Sequence, residues 1–350
     1  MVIGTRVAAA RSARVAGSVN ECLWEVRASP TARRLTAPCA IACTRPMELE
    51  LTLVTDGLHF PEGPVAMADG SVIVVEMKRG TLTRVRADGK HEIIAQLGQG
   101  PNGAAIGPDG AVYVCNNGGA WGWQEGELHL PGAPPAEYRG GSIQRVDLRT
   151  GRFSTLYDAC DGKPLNSPND IVFDSRGGFW FTCLGQSDGE VRRLGAVYYA
   201  RIDGKRIVRW RSGLLSPNGI GLAPGERVVY MADCVKGQLL AFDLAAPGEM
   251  RPPESPAGGR VIATLPGFQW LDSLAVEADG RVCVATIWNG GITVFEPGGA
   301  YVQYPFPDAV TTNICFGGAD MRDAWVTCSS TGRLYRCRWP RPGLTLAFNA

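Results

Sequence analysis

Leu271-Asp272-Ser273-Leu274-Ala275-Val276-Glu277-Ala278-Asp279-Gly280-Arg281-Val282-Cys283-Val284-Ala285-Thr286 is the stretch that decides the fold. It holds a polar residue, a short apolar run, a tight turn and a second apolar run. Leu274-Ala275-Val276 reads as a short strand. Ala278-Asp279-Gly280 reads as a turn, in which Gly280 takes positive φ at no steric cost. Arg281–Thr286 alternates polar and apolar, as a half-buried strand does. Gly290–Phe295 and Val302–Phe306 read as a third and a fourth strand, with Glu296-Pro297-Gly298-Gly299 turning between them.

The unit occurs six times. The copies open at Phe60-Pro61-Glu62-Gly63-Pro64, Gly100-Pro101-Asn102-Gly103, Ser167-Pro168-Asn169-Asp170, Ser216-Pro217-Asn218-Gly219, Trp270-Leu271-Asp272-Ser273 and Thr311-Thr312-Asn313-Ile314. The recurring polar residues Glu62, Asn102, Asn169, Asn218, Asp272 and Asn313 are spaced 40, 67, 49, 54 and 41 residues apart. Three insertions account for the longer spacings: Trp121–Tyr138, rich in Trp, Gly, Glu and Pro; Leu184–Leu194; and the Pro/Gly loop Ala246–Gly259. No segment shows sustained helical periodicity. Six repeats of four strands predict an all-β, six-bladed β-propeller over residues 47–350.

Composition narrows the function. The net charge of +1 makes no electrostatic case for nucleic acid or an anionic membrane as partner. No stretch approaches the length of a transmembrane helix. The 11 Cys form no CxxC pair and several sit in apolar runs, which predicts buried thiols in a reducing compartment and a cytoplasmic protein. Residues 1–46 differ from the rest. They carry seven Arg against Glu21 and Glu25, a net of +5, which leaves −4 on residues 47–350. This segment reads as disordered or mis-assigned: either a transit-like extension, or a start placed upstream of Met47, which directly precedes the alternating strand Glu48–Val54. Arg6, Arg11 and Arg14 interrupt any apolar core of a secretion signal.

Hairpin geometry predicts a functional face. The first strand of a blade starts at one rim, and the second returns to that rim. The six recurring residues therefore share a face with Glu76, Asn116, Asn117, Cys183, Asp233, Trp288, Asn289 and Cys328. The insertion Trp121–Tyr138 should hang over the same rim as an aromatic lid. Asn102, Asn169, Trp121 and Asp233 are the expected substrate contacts in the pocket beneath it.

Carboxylates and amides converging on an axis suit a hard divalent cation such as Ca²⁺, Mg²⁺ or Mn²⁺. The three histidines, His59, His91 and His129, supply no three-His zinc site in the repeat core. A bound cation polarises a carbonyl, and a nearby carboxylate serves as general base, a combination that fits hydrolysis of an ester or lactone. The competing reading is turn chemistry, since Asn and Asp before a strand often bond their own backbone; it weighs most for Asn102 and Asn313.

The motifs Phe60-Pro61-Glu62-Gly63-Pro64, Ser167-Pro168-Asn169-Asp170, Ser216-Pro217-Asn218-Gly219 and Asp272-Ser273 resemble those of the SMP-30/gluconolactonase/LRE-like (regucalcin-like) family. The resemblance covers about residues 50–348. It implies one axial divalent cation, Ca²⁺ first and Mn²⁺, Mg²⁺ or Zn²⁺ as alternatives, and hydrolysis of a small lactone. Position by position it implies Glu62, Asn218 and Asp272 as metal ligands and Asp272 as the general base. Asn169 would lie at or beside the metal and touch substrate. The chain departs from the family at Thr182-Cys183-Leu184, where many relatives carry an acidic residue, and at Asn313, which no Gly follows. Two other functions fit the same architecture: a metal-independent enzyme of the strictosidine-synthase kind, and a non-catalytic module with a structural cation.

Overall fold

The computed structural model describes residues 48–253 and 258–348; the expectations for residues 1–46 and for Met47 lie outside the described residues. Six sheets of antiparallel strands form six blades, and no helix occurs among the described residues. Blade 1 runs Pro61–Ala66, Val72–Glu76, Thr81–Val85 and His91–Gln96. Blade 2 runs Pro101–Ile106, Val112–Asn116, Ser142–Val146 and Phe153–Tyr157. Blade 3 runs Pro168–Phe173, Gly178–Cys183, Gly195–Arg201 and Ile207–Leu214. Blade 4 runs Pro217–Leu222, Val228–Asp233, Gln238–Ala246 and Arg260–Thr264, with Glu249–Met250 folded back onto its long third strand. Blade 5 runs Trp270–Val276, Val282–Ile287, Gly291–Phe295 and Tyr301–Pro305.

Blade 6 closes the ring. Thr311–Gly317, Asp323–Cys328 and Arg333–Arg338 come from the end of the chain, but the outer strand is Thr52–Thr55. The expected strand at Glu48–Val54 is thus real but shorter, and its partner lies at the other end of the sequence. The inner strand of every blade touches the inner strands of both neighbours, so six of them surround the axis.

The core lies between blades. Val172, Trp180 and Tyr199 of blade 3 pack on Ile220, Val229 and Phe242 of blade 4, and comparable layers fill the other gaps. This corrects one expectation. Arg281–Thr286 reads as an alternating half-buried strand, but every residue from Val282 to Thr286 is buried. A second strand is covered by a blade on either side, so both its faces are apolar, as in any sheet buried on both faces.

The inner strands also begin earlier than predicted. Asp272 lies inside Trp270–Val276, not ahead of it. In all six inner strands the pairing register shifts at or next to the recurring polar residue, between Leu271 and Leu274 in blade 5 and between Glu62 and Val65 in blade 1. Such bulges re-aim side chains. Glycine then allows close approach. A Cβ on Gly219 would lie 2.6 Å from the Asp272 carbonyl oxygen and 2.7 Å from the Leu274 nitrogen. A Cβ on Gly103 would lie 2.5 Å from the Asn169 carbonyl oxygen. The recurring Asn-Gly is therefore a spacing device between blades.

Gly219→Ala should lower stability by about 1–3 kcal/mol, the usual cost of an overpacked contact. Gly298→Ala, at an exposed turn with nothing within 4 Å, should stay within about 0.5 kcal/mol of the parent. Urea midpoints of the two variants measure the difference; equal midpoints would refute the spacing role.

Candidate active site

Register places the six recurring residues on one rim, as the hairpin geometry requires. Pro61 pairs with Glu76, Pro101 with Asn116, Pro168 with Cys183, Pro217 with Asp233 and Thr311 with Cys328. Phe60 and Ser167, each just before a rim proline, hold φ of 58° and 62°, in the left-handed region that ordinary side chains avoid.

Glu62 is buried. Its Oε2 accepts hydrogen bonds from the Gly63 N–H (3.0 Å) and from Asn313 Nδ2 (3.0 Å), which ties blade 6 to blade 1. The Asn313 Oδ1 also accepts from the Ile314 N–H at 2.8 Å, so part of the local-backbone reading holds for this residue. Burial lifts the Glu62 carboxyl to about 7, against the hydrogen bonds from Asn313 and Gly63, which favour its ionised form. Asp272 is also buried, and its carboxyl is pushed well above the ordinary range, first by burial and then by the charge of Glu62; the Asn218 amide works the other way. Asn169 and Asn218 are buried with side-chain oxygens that no protein group donates to. Asn102 is buried on the same rim.

Asp170 was not foreseen. It takes the place held by Gly63, Gly103 and Gly219 in other blades, and that substitution in the repeat was the signal available. Its carboxylate accepts from the Ile171 N–H (2.9 Å) and, across the blade boundary, from the Ile220 N–H (3.2 Å). Burial lifts it to about 7, and Glu62 adds to the rise. Thr182, at the family departure noted above, donates to the Asn218 carbonyl oxygen at 2.6 Å and so fixes that strand's start.

Glu76, Asn116 and Asn117, expected on the second strands, brace the blades instead. Glu76 is saturated by the His59 N–H (2.7 Å), Thr83 (2.6 Å) and Arg79 (2.9 Å). Asn116 donates to the Leu97 carbonyl oxygen, and Asn117 accepts from the Gly119 and Ala120 N–H groups. Asp233 is fully buried opposite Pro217, with Lys236 at 3.3 Å, in the place that Glu76 holds in blade 1. Neither of its carboxylate oxygens accepts a hydrogen bond from the protein, unlike those of Glu76. All eight cysteines among the described residues are free thiols, and all but Cys315 are buried.

Residues 121–138 do cover this rim. Trp121, Trp123 and Leu130 pack on Phe60, Met77 and Val310, with Ile287 beside them. The His129 N–H donates to the Ser330 carbonyl oxygen (2.8 Å), and the Tyr138 hydroxyl oxygen accepts from the Ser167 N–H (2.7 Å). Lys78 lies 3.2 Å from His129 Nδ1 and 5.7 Å from the centre of the Trp123 ring. Burial and nearby cations, Arg79 for His59 and Lys78 for His129, hold both imidazoles below their usual value.

Among the described residues no group of three or more His, Cys, Asp and Glu is disposed to hold a metal ion. A cation here would need a mixed set. Glu62 and Asp272 offer uncompensated carboxylates, and Asn169 and Asn218 offer orphaned amide oxygens; all are oxygen donors, and they fit a hard cation. Among the described residues no helix is long and apolar enough to cross a membrane.

The chain is similar to known proteins. The chain is 24% identical over 299 residues to a gluconolactonase from Zymomonas mobilis, covering 76% of each protein. It is 30% identical over 252 residues to lactonase drp35 from Staphylococcus aureus, covering 71% of this chain and 68% of that one. Two solved structures share the fold. A gluconolactonase from Xanthomonas campestris superposes with a TM-score of 0.65 at 22% identity, covering 83% of this chain and 90% of that one. The calcium-binding protein regucalcin from Agrobacterium tumefaciens superposes with a TM-score of 0.68 at 16% identity, covering 88% and 99%. The model of the SMP-30/gluconolactonase/LRE-like region matches residues 60–330, and the chain belongs to that family.

Proposed function

We propose that the protein is a divalent-metal-dependent lactone hydrolase. The observation that supports this best is the axial set of buried oxygen donors, two of them orphaned and two of them carboxylates without a counter-charge. Glu62, Asn169, Asn218 and Asp272 would hold one cation, with Ca²⁺ the natural choice and Mn²⁺, Mg²⁺ or Zn²⁺ as alternatives. When bound, it would polarise the lactone carbonyl.

The chain's own residues supply the rest. Asp272 takes a proton from the attacking water and returns it to the ring oxygen as the acyl C–O bond opens. Asn313 and the Gly63 N–H fix the Glu62 carboxylate in one orientation. Asp170, tied to two backbone N–H groups, keeps a negative charge near Asp272 and makes it a stronger base. Asn102 and Asn169 orient the substrate, and the lid carrying Trp121 keeps bulk water out. The free thiols fit a reducing compartment, and we place the protein in the cytoplasm.

Two measurements test this. The carboxyls of Glu62, Asp170 and Asp272 are all raised by folding. The stability of chelated protein is therefore full below the unfolded-state carboxyl values, about 4, and is lost as pH rises through about 7. Its melting temperature should fall between pH 5 and pH 8, Ca²⁺ should restore more at pH 8 than at pH 5, and Glu62→Gln should flatten both trends. A Ca²⁺ effect that is equal at both pH values would count against the site. Asp272→Asn should cost about 10²–10⁴-fold in kcat/KM, the usual share of a general base, while the ring still melts cooperatively. Proton release from aldono- and alkyl-lactones measures it. Activity in chelated wild type would point to the metal-free enzyme, and silence with every metal to a binding module.

A further inference from the structure

Three aromatic side chains stand on the active-site rim outside the axial cluster. Phe268 is 71% exposed, Trp288 is 47% exposed and Trp270 is half-buried. Their ring centres lie 5.7 Å (Phe268 to Trp270), 5.8 Å (Trp270 to Trp288) and 6.2 Å (Phe268 to Trp288) apart. These are separations of attractive aromatic pairs. Clustered aromatic surface left open to solvent usually serves binding.

Trp288 is also strained. Its φ is 74°, a conformation that suits glycine or asparagine and burdens a bulky side chain. Turn chemistry alone would not select tryptophan there. Residues that break a local rule in this way tend to sit at functional sites.

Position says what the cluster serves. Trp270 opens the strand that carries Asp272 two residues later, and it pairs with Ile287, the neighbour of Trp288. Ile287 packs against the group that holds lid residues Trp121 and Trp123. The aromatic cluster is thus continuous with the lid. Nearby polarity is already engaged: Gln269 donates to the Pro266 carbonyl oxygen and accepts from Gln303. The flat faces are left to an apolar guest.

We propose that Phe268, Trp270 and Trp288 form an aromatic subsite for an alkyl or aryl substituent on the lactone ring. This rests on the lactonase reading and adds a specificity to it. Substrates would be substituted lactones, with the ring carbonyl at the axis and the substituent stacked on the rim.

The test compares γ-phenyl-γ-butyrolactone with unsubstituted γ-butyrolactone in wild type, Trp288→Gly and Phe268→Ala. Glycine relieves the strained turn and Phe268 is mostly exposed, so both variants should fold. Wild type should prefer the phenyl lactone in kcat/KM, and each variant should lose at least tenfold of that preference. A preference unchanged in both variants would overturn the proposal. Calorimetric titration with the ring-opened acid, 4-hydroxy-4-phenylbutanoate, decides the subsite even where no lactone turns over. Its Kd should weaken at least tenfold in each variant, and an equal Kd would also overturn the proposal. No turnover of any lactone would instead refute the lactonase reading. If the variants change the sedimentation mass while preference and Kd stay as in wild type, the cluster is a contact between copies and the subsite is refuted.

Discussion

The structure depends on six strands meeting at one axis closely enough for their backbones to touch. Gly63, Gly103 and Gly219 make this possible, because a Cβ at any of them would lie within 2.7 Å of the next blade's backbone. Close approach leaves no room on the axis for large side chains, and each bulge turns a small polar one inward. The same geometry that closes the ring therefore buries Glu62, Asp170 and Asp272 together. All three are buried, and the charge of Glu62 acts on both Asp170 and Asp272. Their raised protonation follows from the packing and needs no further assumption.

The rim above the axis is built differently from the blades below it. Inside the blades, second strands such as Gly178–Cys183 are buried along their whole length, and apolar side chains make most of their contacts. On the rim the chain takes left-handed conformations at Phe60, Ser167 and Trp288, and it carries the long insertion over blades 1 and 6. Strained backbone persists only where its surroundings hold it. Here the holding groups are visible: the Phe60 carbonyl oxygen accepts from the Met77 N–H, the Ser167 N–H is taken by Tyr138, and the Trp288 N–H is taken by the Ala309 carbonyl oxygen.

Much of this was legible in the sequence, for reasons of range. The repeat, the turns and the shared rim are local patterns, and local patterns follow from period and turn chemistry. The shared rim position of Glu62, Asn169, Asn218 and Asp272 was legible because they recur in register. Closure of blade 6 by Thr52–Thr55 was not, because its partner strand Arg333–Arg338 lies almost the whole chain away. Asp170 was passed over because it stands beside a recurring residue rather than at one; only the glycines at the same place in three blades give it away. The second-strand residues misled for the opposite reason. Glu76 and Asn116 share the predicted rim, but Glu76 spends most of its hydrogen bonds within its own hairpin and Asn116 on the Leu97 carbonyl oxygen and Gln144. Sequence assigns a rim but not the direction in which a side chain leaves it.

That difference in direction separates scaffold from site. Buried polar groups in folded proteins are nearly always hydrogen-bonded, so the exceptions carry information. Among the described residues, buried side-chain atoms without a hydrogen-bond partner include Ser167 Oγ, Asn169 Oδ1, Asn218 Oδ1, Ser273 Oγ and both Asp233 oxygens, of which Oδ2 has only the Lys236 ammonium nearby. All of these lie at the rim ends of blades 3, 4 and 5. The polar groups of blade 1, from Glu62 to Glu76, Thr81 and Thr83, are satisfied by their neighbours. A fold with only mechanical demands would have no reason to collect its unmet acceptors on one side of one axis. Their concentration beside two uncompensated carboxylates is what a pocket for a cation and a polar reacting group requires, and it arises from residues that the rest of the ring would be more stable without.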